Sequence, residues 1–224
     1  MTTTLKYTNN KPALGGGIFL PKDVSKILDL PYHKVRRWIF EFWDKRFGKE
    51  WAYSFGDIGN KAIDFHTLIE FYVFYQLREN GLSSQKIQKT HHELSKIFKT
   101  KYPFAHAKIS TDGKNIWFEK FENLVNTDGK NQISLKLILA PFLKKIEYGA
   151  NNIAEKYYPL NNSKNIVVDP KRQFGQPIVT GTNVKAAVIY SLFEGGENSK
   201  DIGHLYSLTE KQVNDAILYY QKTA

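Results

Sequence analysis

Cysteine is absent from the 224-residue sequence. This absence excludes disulfide bonds, thiolate ligands for metals and thiol nucleophiles. Histidine is sparse as well: six are present, and the one adjacent pair is His91-His92. Neighbouring residues of a helix point about 100° apart, so a solvent-exposed helix face explains this pair better than a shared metal ion does. We expect no metal site and no cofactor.

Long apolar runs are also lacking. No stretch approaches the roughly 18 consecutive apolar residues that a membrane-spanning helix requires. The first 17 residues are polar, end in three glycines, and do not show the basic-then-apolar order of a secretory signal. We expect a cytoplasmic protein that does not enter a membrane, with residues 1–17 as a flexible leader.

Catalytic and nucleotide-binding motifs are missing too. The stretch from Gln173 to Val184 holds two glycines but neither the Gly-Lys-Ser/Thr of a phosphate loop nor the three close glycines of a dinucleotide site. A nuclease with its active site in the C-terminal part would need a carboxylate cluster that binds Mg²⁺. The side chains available there follow no motif spacing: Asp169, Glu194, Asp201 and His204. We predict no catalytic residues and no enzymatic activity.

Positive charge is in excess, and it is concentrated in one half of the chain. The formal net charge is +10. Residues 1–110 contain 18 Lys and Arg against 10 Asp and Glu, whereas residues 111–159 and 160–224 each contain 7 against 6. Such a basic half is typical of a protein that binds a polyanion, although a merely soluble basic surface would show the same excess.

Periodic apolar residues predict a helix-turn-helix in the basic half. Pro21 suits the first turn of one helix, and Pro31 can open a second. The second helix carries an apolar stripe at helical spacing, formed by Val35, Trp38, Ile39 and Phe42. Basic residues occupy its opposite side. Two short helices with a tight turn, the second one basic on its free face, are the pattern of a DNA-binding unit.

The segment that follows has no helical period. Aromatic residues and glycines alternate with charges over residues 44–65, so we predict a short β-hairpin, or wing. Two helices should come next: a very apolar one that ends at Gly81, and one that begins at Ser83 or Ser84. These elements together predict a winged helix-turn-helix domain over residues 18–104.

The remaining chain predicts two further regions. A mixed β and α connector is expected over residues 105–164, and a module of a β-hairpin plus three helices, ending in a second helix-turn-helix, over residues 165–224. In that module Gly175 and Gly181 should adopt positive φ at two turns around a short strand. The predicted fold class is therefore α+β, mainly helical with small β elements.

Polar residues mark where the last three helices should begin. Thr182 or Asn183 should cap the first of them, Ser199 the second, and a capping box of Thr209 with Gln212 the third. The last helix should expose a mixture of charges and a tyrosine: Glu210, Lys211, Asn214, Asp215 and Tyr219. That mixture gives no net attraction to phosphate, so we expect the module to contact protein, either a second copy or another partner.

Residues 18–104 resemble the MerR-type winged helix-turn-helix family. The resemblance rests on LPKDVSKILDLPYHKVRRWI and IDFHTLIEFYVFYQLRENGLSSQKIQ. Within these stretches the matching places are Arg36-Arg37-Trp38, Leu77-Arg78, Gly81 and Ile87. The coiled coil and the cysteine metal sensor usual in that family are missing, so the resemblance does not imply metal sensing.

Residues 165–221 resemble the domain-of-unknown-function family 433. The matching motifs are Asp169-Pro170, Gly175-Gln176-Pro177-Ile178 and Gly181-Thr182. Asn183 stands where that family usually has arginine, so the role of that arginine is not carried over to this chain.

In this order the two segments resemble the long VapB-type antitoxins, whose partner is a PIN-like ribonuclease toxin. The resemblance implies an antitoxin that binds the double-stranded DNA of its own promoter, represses its operon and holds the toxin inactive. Because one recognition helix contacts only a half-site, we expect a homodimer. A stand-alone MerR-like transcription regulator without a toxin partner is the alternative.

The candidate DNA contacts lie mainly on the basic face of the second helix. We expect Lys34, Arg36 and Arg37 to reach phosphates or guanine edges, with Tyr32 and His33 near the start of that helix. The residues expected to add phosphate contacts are Lys22, Arg46 and Lys49. An ordinary solvated helix face is the competing interpretation.

Overall fold

The computed structural model of the chain describes residues 12–48, 52–57, 59–106 and 141–222. These residues form helices and three two-stranded antiparallel sheets, so the predicted α+β class is confirmed. The helices are α1 (Pro21–Leu28), α2 (Tyr32–Arg37), α3 (Trp43–Phe47), α4 (Phe65–Glu79), α5 (Ser84–Phe98), α6 (Ala186–Glu194), α7 (Ser199–Tyr206) and α8 (Glu210–Lys222). The strands are β1 (Ser54–Phe55), β2 (Ala62–Ile63), β3 (Ile146–Tyr148), β4 (Ala154–Tyr157), β5 (Ile166–Val167) and β6 (Ile178–Val179).

A π-helical turn, Trp38–Phe42, joins α2 and α3 into one helical segment. The backbone N–H of Trp43, the residue after this turn, donates to the carbonyl of Trp38, five residues earlier. The wider turn places these two tryptophans on the same side, with ring centroids 6.2 Å apart. Both rings pack on α4, where Trp38 lies edge-on to Phe74 and Trp43 lies 4.4 Å from Phe71. Of the predicted apolar stripe, Val35, Trp38 and Ile39 are therefore buried through an irregular helix, and Phe42 is partly buried.

The hairpin after this segment is shorter than the sequence suggested. Residues 44–47, where it was expected to begin, belong to α3, because Trp43 and Phe47 stack one helical turn apart in the core. The antiparallel pair β1–β2 forms the hairpin. Asp44 ties it to α3, since its Oδ1 accepts a hydrogen bond from the backbone N–H of Tyr53 at 2.8 Å.

The end of α4 and the start of α5 lie where the sequence predicts. Asp64 caps α4 by accepting a hydrogen bond from the Thr67 N–H at 2.8 Å. Gly81, with φ of 88°, follows the end of α4. Ser83 caps α5 by accepting from the Lys86 N–H at 3.2 Å. Since α4 is buried on most sides, the rest of the N-terminal half packs around it.

One hydrophobic core joins the N-terminal elements to residues 146–168 of the later chain. The ring of Tyr72 on α4 lies 5.0 Å from the ring of Tyr157 on β4. Tyr157 in turn exchanges two backbone hydrogen bonds with Val168, at 3.0 and 2.8 Å. A second buried cluster lies between the β5–β6 pair and the helices α6 to α8. Residues of the expected connector thus contribute to the N-terminal core.

The turns of the C-terminal module follow the prediction, but one helix cap does not. Gly175 and Gly181 both have φ of 85°, which confirms the expected left-handed turns. α6 begins after Lys185 rather than at the predicted Thr182 or Asn183. The hydroxyl of Thr182 instead donates to the Val179 carbonyl and accepts from the Val184 N–H, so it closes the turn before the helix.

Of the last two helices, α8 has the predicted capping box, whereas α7 is capped by a different residue from the predicted one. Asn198 caps α7, not Ser199, because its side-chain oxygen accepts from two backbone N–H groups of the first turn at 3.0 Å each. The capping box before α8 is confirmed: the Gln212 side chain accepts from the Thr209 N–H at 3.0 Å, and the Thr209 hydroxyl accepts from the Gln212 N–H at 3.3 Å.

Candidate nucleic-acid interface

The turn between α1 and α2 fixes how the basic helix is presented. α1 is followed by its C-cap residue Asp29, which adopts a left-handed conformation with φ of 55°. The N–H of Leu30 donates to the carbonyl of Ser25 at 2.9 Å, and the Ser25 hydroxyl donates to the carbonyl of Leu30 at 2.6 Å. With Leu30 and Val35 buried on the inner side, the opposite side of α2 must face outward.

Four of the predicted contact residues lie together on that outward side. Tyr32, His33, Arg36 and Arg37 are all exposed on α2, and Lys22 is exposed on α1. The Arg36 guanidinium lies over the ring of Phe40, with Cζ 5.2 Å from the ring centroid. This contact limits the conformations of Arg36, whose N–H groups can still donate from the ring edge.

The other predicted cations are placed differently. Lys34 is half-buried, and its ammonium lies 5.4 Å from the ring centroid of Tyr75 on α4, so it points partly toward the protein. Arg46 is exposed on α3, 5.9 Å from the ring of Phe42, rather than on a wing strand. Lys49 lies outside the described residues. Most of the predicted contact residues that are exposed therefore lie on α2.

The C-terminal helix packs against α1, which the sequence did not suggest. Lys222 of α8 forms an ion pair with Asp29 at 3.3 Å, and the Lys26 ammonium lies 5.9 Å from the ring of Tyr220. Tyr219, predicted to be exposed, is only 3% accessible. Burial, the neighbouring Tyr220 and the nearby α1 carboxylates raise the pKa of the Tyr219 hydroxyl. α8 thus contacts the helix that precedes α2 through these two side-chain interactions.

A buried carboxylate on α4 links this helix to α5 and to the backbone of residues 104–105. Glu70 is fully buried and lies 2.9 Å from Nε2 of His91 on α5. Its other oxygen accepts hydrogen bonds from the backbone N–H groups of Phe104 and Ala105, at 2.7 and 2.9 Å. Burial raises the pKa of the Glu70 carboxyl, against the opposing influence of His91.

The sequence did carry a signal for this network. Glu70 is the one charged residue in the apolar run LIEFYVF, and such a residue is usually buried with partners or exposed at a break in the apolar face. The exposed-face interpretation of His91-His92 holds for His92 alone, because His91 is buried in the pair with Glu70.

No group of three or more His, Asp or Glu side chains in residues 12–48, 52–57, 59–106 and 141–222 could hold a metal ion. Among the helices of the same residues, none is both long and apolar enough to cross a membrane.

The C-terminal module matches one protein family. Residues 166–220 match the family described as "Protein of unknown function (DUF433)". The matched region covers β5, β6 and the three helices α6 to α8, which are the elements of the second buried cluster.

Two proteins of Mycobacterium tuberculosis are similar to most of the chain. One, named "Putative antitoxin VapB45", is 26% identical over 172 residues, which are 69% of this chain and 70% of that protein. The other, named "Uncharacterized protein Rv2308", is 26% identical over 221 residues, which are 92% of this chain and 90% of that protein.

A solved structure shares the fold. The crystal structure of Rv2018 from Mycobacterium tuberculosis superposes with a TM-score of 0.68 at 22% sequence identity, over 89% of this chain and 96% of that one. The similarity extends beyond the residues that match the family. The N-terminal elements and the C-terminal module therefore occur together in another protein as well.

Proposed function

We propose that the protein is a DNA-binding antitoxin. In this proposal it acts in the cytoplasm as a homodimer, represses its own promoter and neutralises a PIN-like ribonuclease toxin without catalysing a reaction itself. The similarity to a protein named as an antitoxin, over about two-thirds of both chains, carries the proposal. The predicted order of a winged helix-turn-helix before a DUF433 module supports it.

The DNA part of the proposal rests on α2. Arg36 and Arg37 are adjacent and exposed, and the turn at Asp29 holds their helix against α1. Arginine donates to phosphate oxygens or, in a bidentate manner, to the major-groove edge of guanine. Tyr32 and His33 extend the same surface toward the turn. Lys22 and Arg46 would add phosphate contacts from the flanking helices, and Lys49 is proposed as a further one.

Fluorescence anisotropy with a labelled duplex of the protein's own promoter tests this part. We expect the Arg36→Ala and Arg37→Ala variants to bind about 10-fold more weakly each. If both contact phosphates, the slope of log affinity against log salt falls by about 0.9 for each arginine removed. The double variant Lys200→Ala/Lys211→Ala, which removes exposed lysines of α7 and α8, is the matched control.

Two outcomes would contradict the DNA part. One is a wild-type protein that binds its promoter no better than a scrambled duplex at moderate salt. The other is an equal loss of affinity in the α2 variants and in the control, because a general charge effect would then explain the binding.

The toxin part requires a separate experiment. Co-expression with the product of the adjacent small reading frame, followed by affinity purification, should yield a stable complex in which ribonuclease activity is suppressed. Promoter binding without such a complex would favour the stand-alone regulator. Ribonuclease activity of this chain alone, abolished by EDTA, would instead support the nuclease interpretation.

A further inference from the structure

A lysine-lined cavity lies between the residues just before β3 and the segment that follows β4. Its volume is about 600 Å³, which is within the range of about 300–1,000 Å³ typical of small-molecule sites. Its polar lining comes from Lys144, Lys145, Asn161, Asn162, Ser163 and Lys164. No lining residue of this cavity, among those the structure describes, carries a carboxylate.

The central lysine of this cavity is poorly neutralised. The Lys145 ammonium is half-buried and donates to the carbonyl of Pro159 at 3.0 Å, a neutral acceptor. Burial and the neighbouring charge of Lys222 lower the pKa of Lys145, against the influence of Asp29. Asp29 is itself paired with Lys222 at 3.3 Å, so it compensates two lysines at once.

The other two lysines add to the positive charge without pairing inside the described chain. No carboxylate of the residues described lies within ion-pair distance of Lys144 or Lys164. The Lys164 ammonium lies 4.8 Å from the ring centroid of Tyr158 at the cavity wall. Three lysines thus converge on a concave surface where each would gain from an anion.

The carboxylates near the cavity accept hydrogen bonds from other groups. Glu147, which also interacts electrostatically with Lys164, accepts from Lys156 at 2.5 Å and from the Tyr158 hydroxyl at 2.6 Å. The carboxylate of Asp215 accepts from the Ser163 hydroxyl at 2.5 Å and from the Asn165 side chain at 2.7 Å. The carbonyl of Phe142 accepts from the Lys145 N–H at 3.2 Å and from the Tyr72 hydroxyl at 3.3 Å. The amides of Asn161 and Asn162 are exposed and able to donate.

We propose that this cavity binds the phosphate group of a small soluble phosphate ester, with Lys145 as the central contact and Lys144 and Lys164 on either side. Ammonium groups and amide N–H donors together match the charge and the acceptor oxygens of a phosphate. The concave shape favours a small ligand over duplex DNA, whose phosphates lie on a convex surface. The site shares no residue with the proposed DNA contacts on α2.

Isothermal titration calorimetry of the full-length protein with inorganic pyrophosphate and with adenosine 5′-monophosphate tests the proposal. We expect binding in low salt that becomes about 10-fold weaker in Lys145→Met and in Lys164→Met, since each substitution removes one charge-assisted contact. Lys200→Met, at an exposed site on α7, should bind as the wild type does. Lys164 is exposed, so its variant is informative even if the Lys145 variant folds poorly.

Three results would overturn the proposal. The first is no heat of binding with either probe at about 10 mM. That concentration is tenfold above a Kd of about 1 mM, roughly the weakest affinity that calorimetry resolves. The second is unchanged binding in both cavity variants. The third is a loss of promoter-DNA affinity in Lys164→Met that matches its loss for pyrophosphate, together with competition between pyrophosphate and DNA. That result would assign the lysines to the nucleic-acid backbone.

Discussion

Substituting Gly175 by alanine should destabilise the protein for two separable reasons. Gly175 has φ of +85°, a conformation that costs an alanine about 1 kcal/mol or more. A β-carbon there would also lie 2.3 Å from Cζ and 2.9 Å from Cε1 of the Phe19 ring. Phe19 is fully buried, so the ring cannot move without disturbing the core, and such overpacking costs about 1–3 kcal/mol.

The sum is a loss of about 3 kcal/mol in the free energy of unfolding, which for a chain of this size lowers Tm by about 6–12 °C. Gly181→Ala is the matched control, because Gly181 has the same φ of +85° but no atom within 4 Å of the added β-carbon. It should lose only the backbone contribution, about 1 kcal/mol. Thermal unfolding followed by circular dichroism measures both, and equal losses would refute the role of Phe19.

Other substitutions test the buried Glu70–His91 pair, the buried Tyr219 of α8 and the exposed ion pair between Lys222 and Asp29. Glu70→Ala leaves His91 and two backbone N–H groups without their acceptor, so urea unfolding should show a loss of about 3–5 kcal/mol, and Glu70→Gln a smaller one. Burial raises the pKa of Glu70, so the folded state binds the proton of this carboxyl more tightly than the unfolded state does. The resulting stability is fully present below the ordinary pKa of a glutamate, and it is lost as the pH rises through the raised pKa. The advantage of wild type over Glu70→Gln should therefore shrink from pH 4 toward neutral pH, by up to about 1.4 kcal/mol per unit, and a constant difference would contradict the assignment. Tyr219→Ala should cost about 3 kcal/mol, whereas Lys222→Ala, which removes only the exposed pair with Asp29, should cost at most about 1 kcal/mol; equal losses would contradict this.

The features that could be predicted are those encoded locally. The end of α4 and the start of α5 follow from Gly81 and Ser83, which act within a few residues of the chain. The two left-handed glycines of the module were predictable for the same reason, since turn geometry depends on neighbouring residues. Local chemistry therefore located most helices and turns.

The features that were missed depend on distant partners. The π-helical turn exists because Trp38 and Trp43 both pack on α4, and periodicity in the segment itself cannot reveal that demand. Tyr219 lies on the side of α8 that the mixed charges marked as exposed, but it is buried in the core cluster of the C-terminal module. Secondary structure thus followed from short-range patterns, whereas burial was decided by which elements meet.

The distribution of positive charge shows the same limit most clearly. The excess of 8 positive charges in residues 1–110 predicted that a polyanion would bind this half. Several of its lysines, however, contact other side chains of the protein. Lys34 contacts Tyr75, Lys61 pairs with Asp44, and Lys101 lies 4.7 Å from an aromatic ring. The nearly neutral remainder nevertheless contributes lysines to one concave surface, because residues 144–145 and 164 meet there after folding. Net charge along the sequence therefore indicates a class of partner, but only the fold shows which charges are available to it.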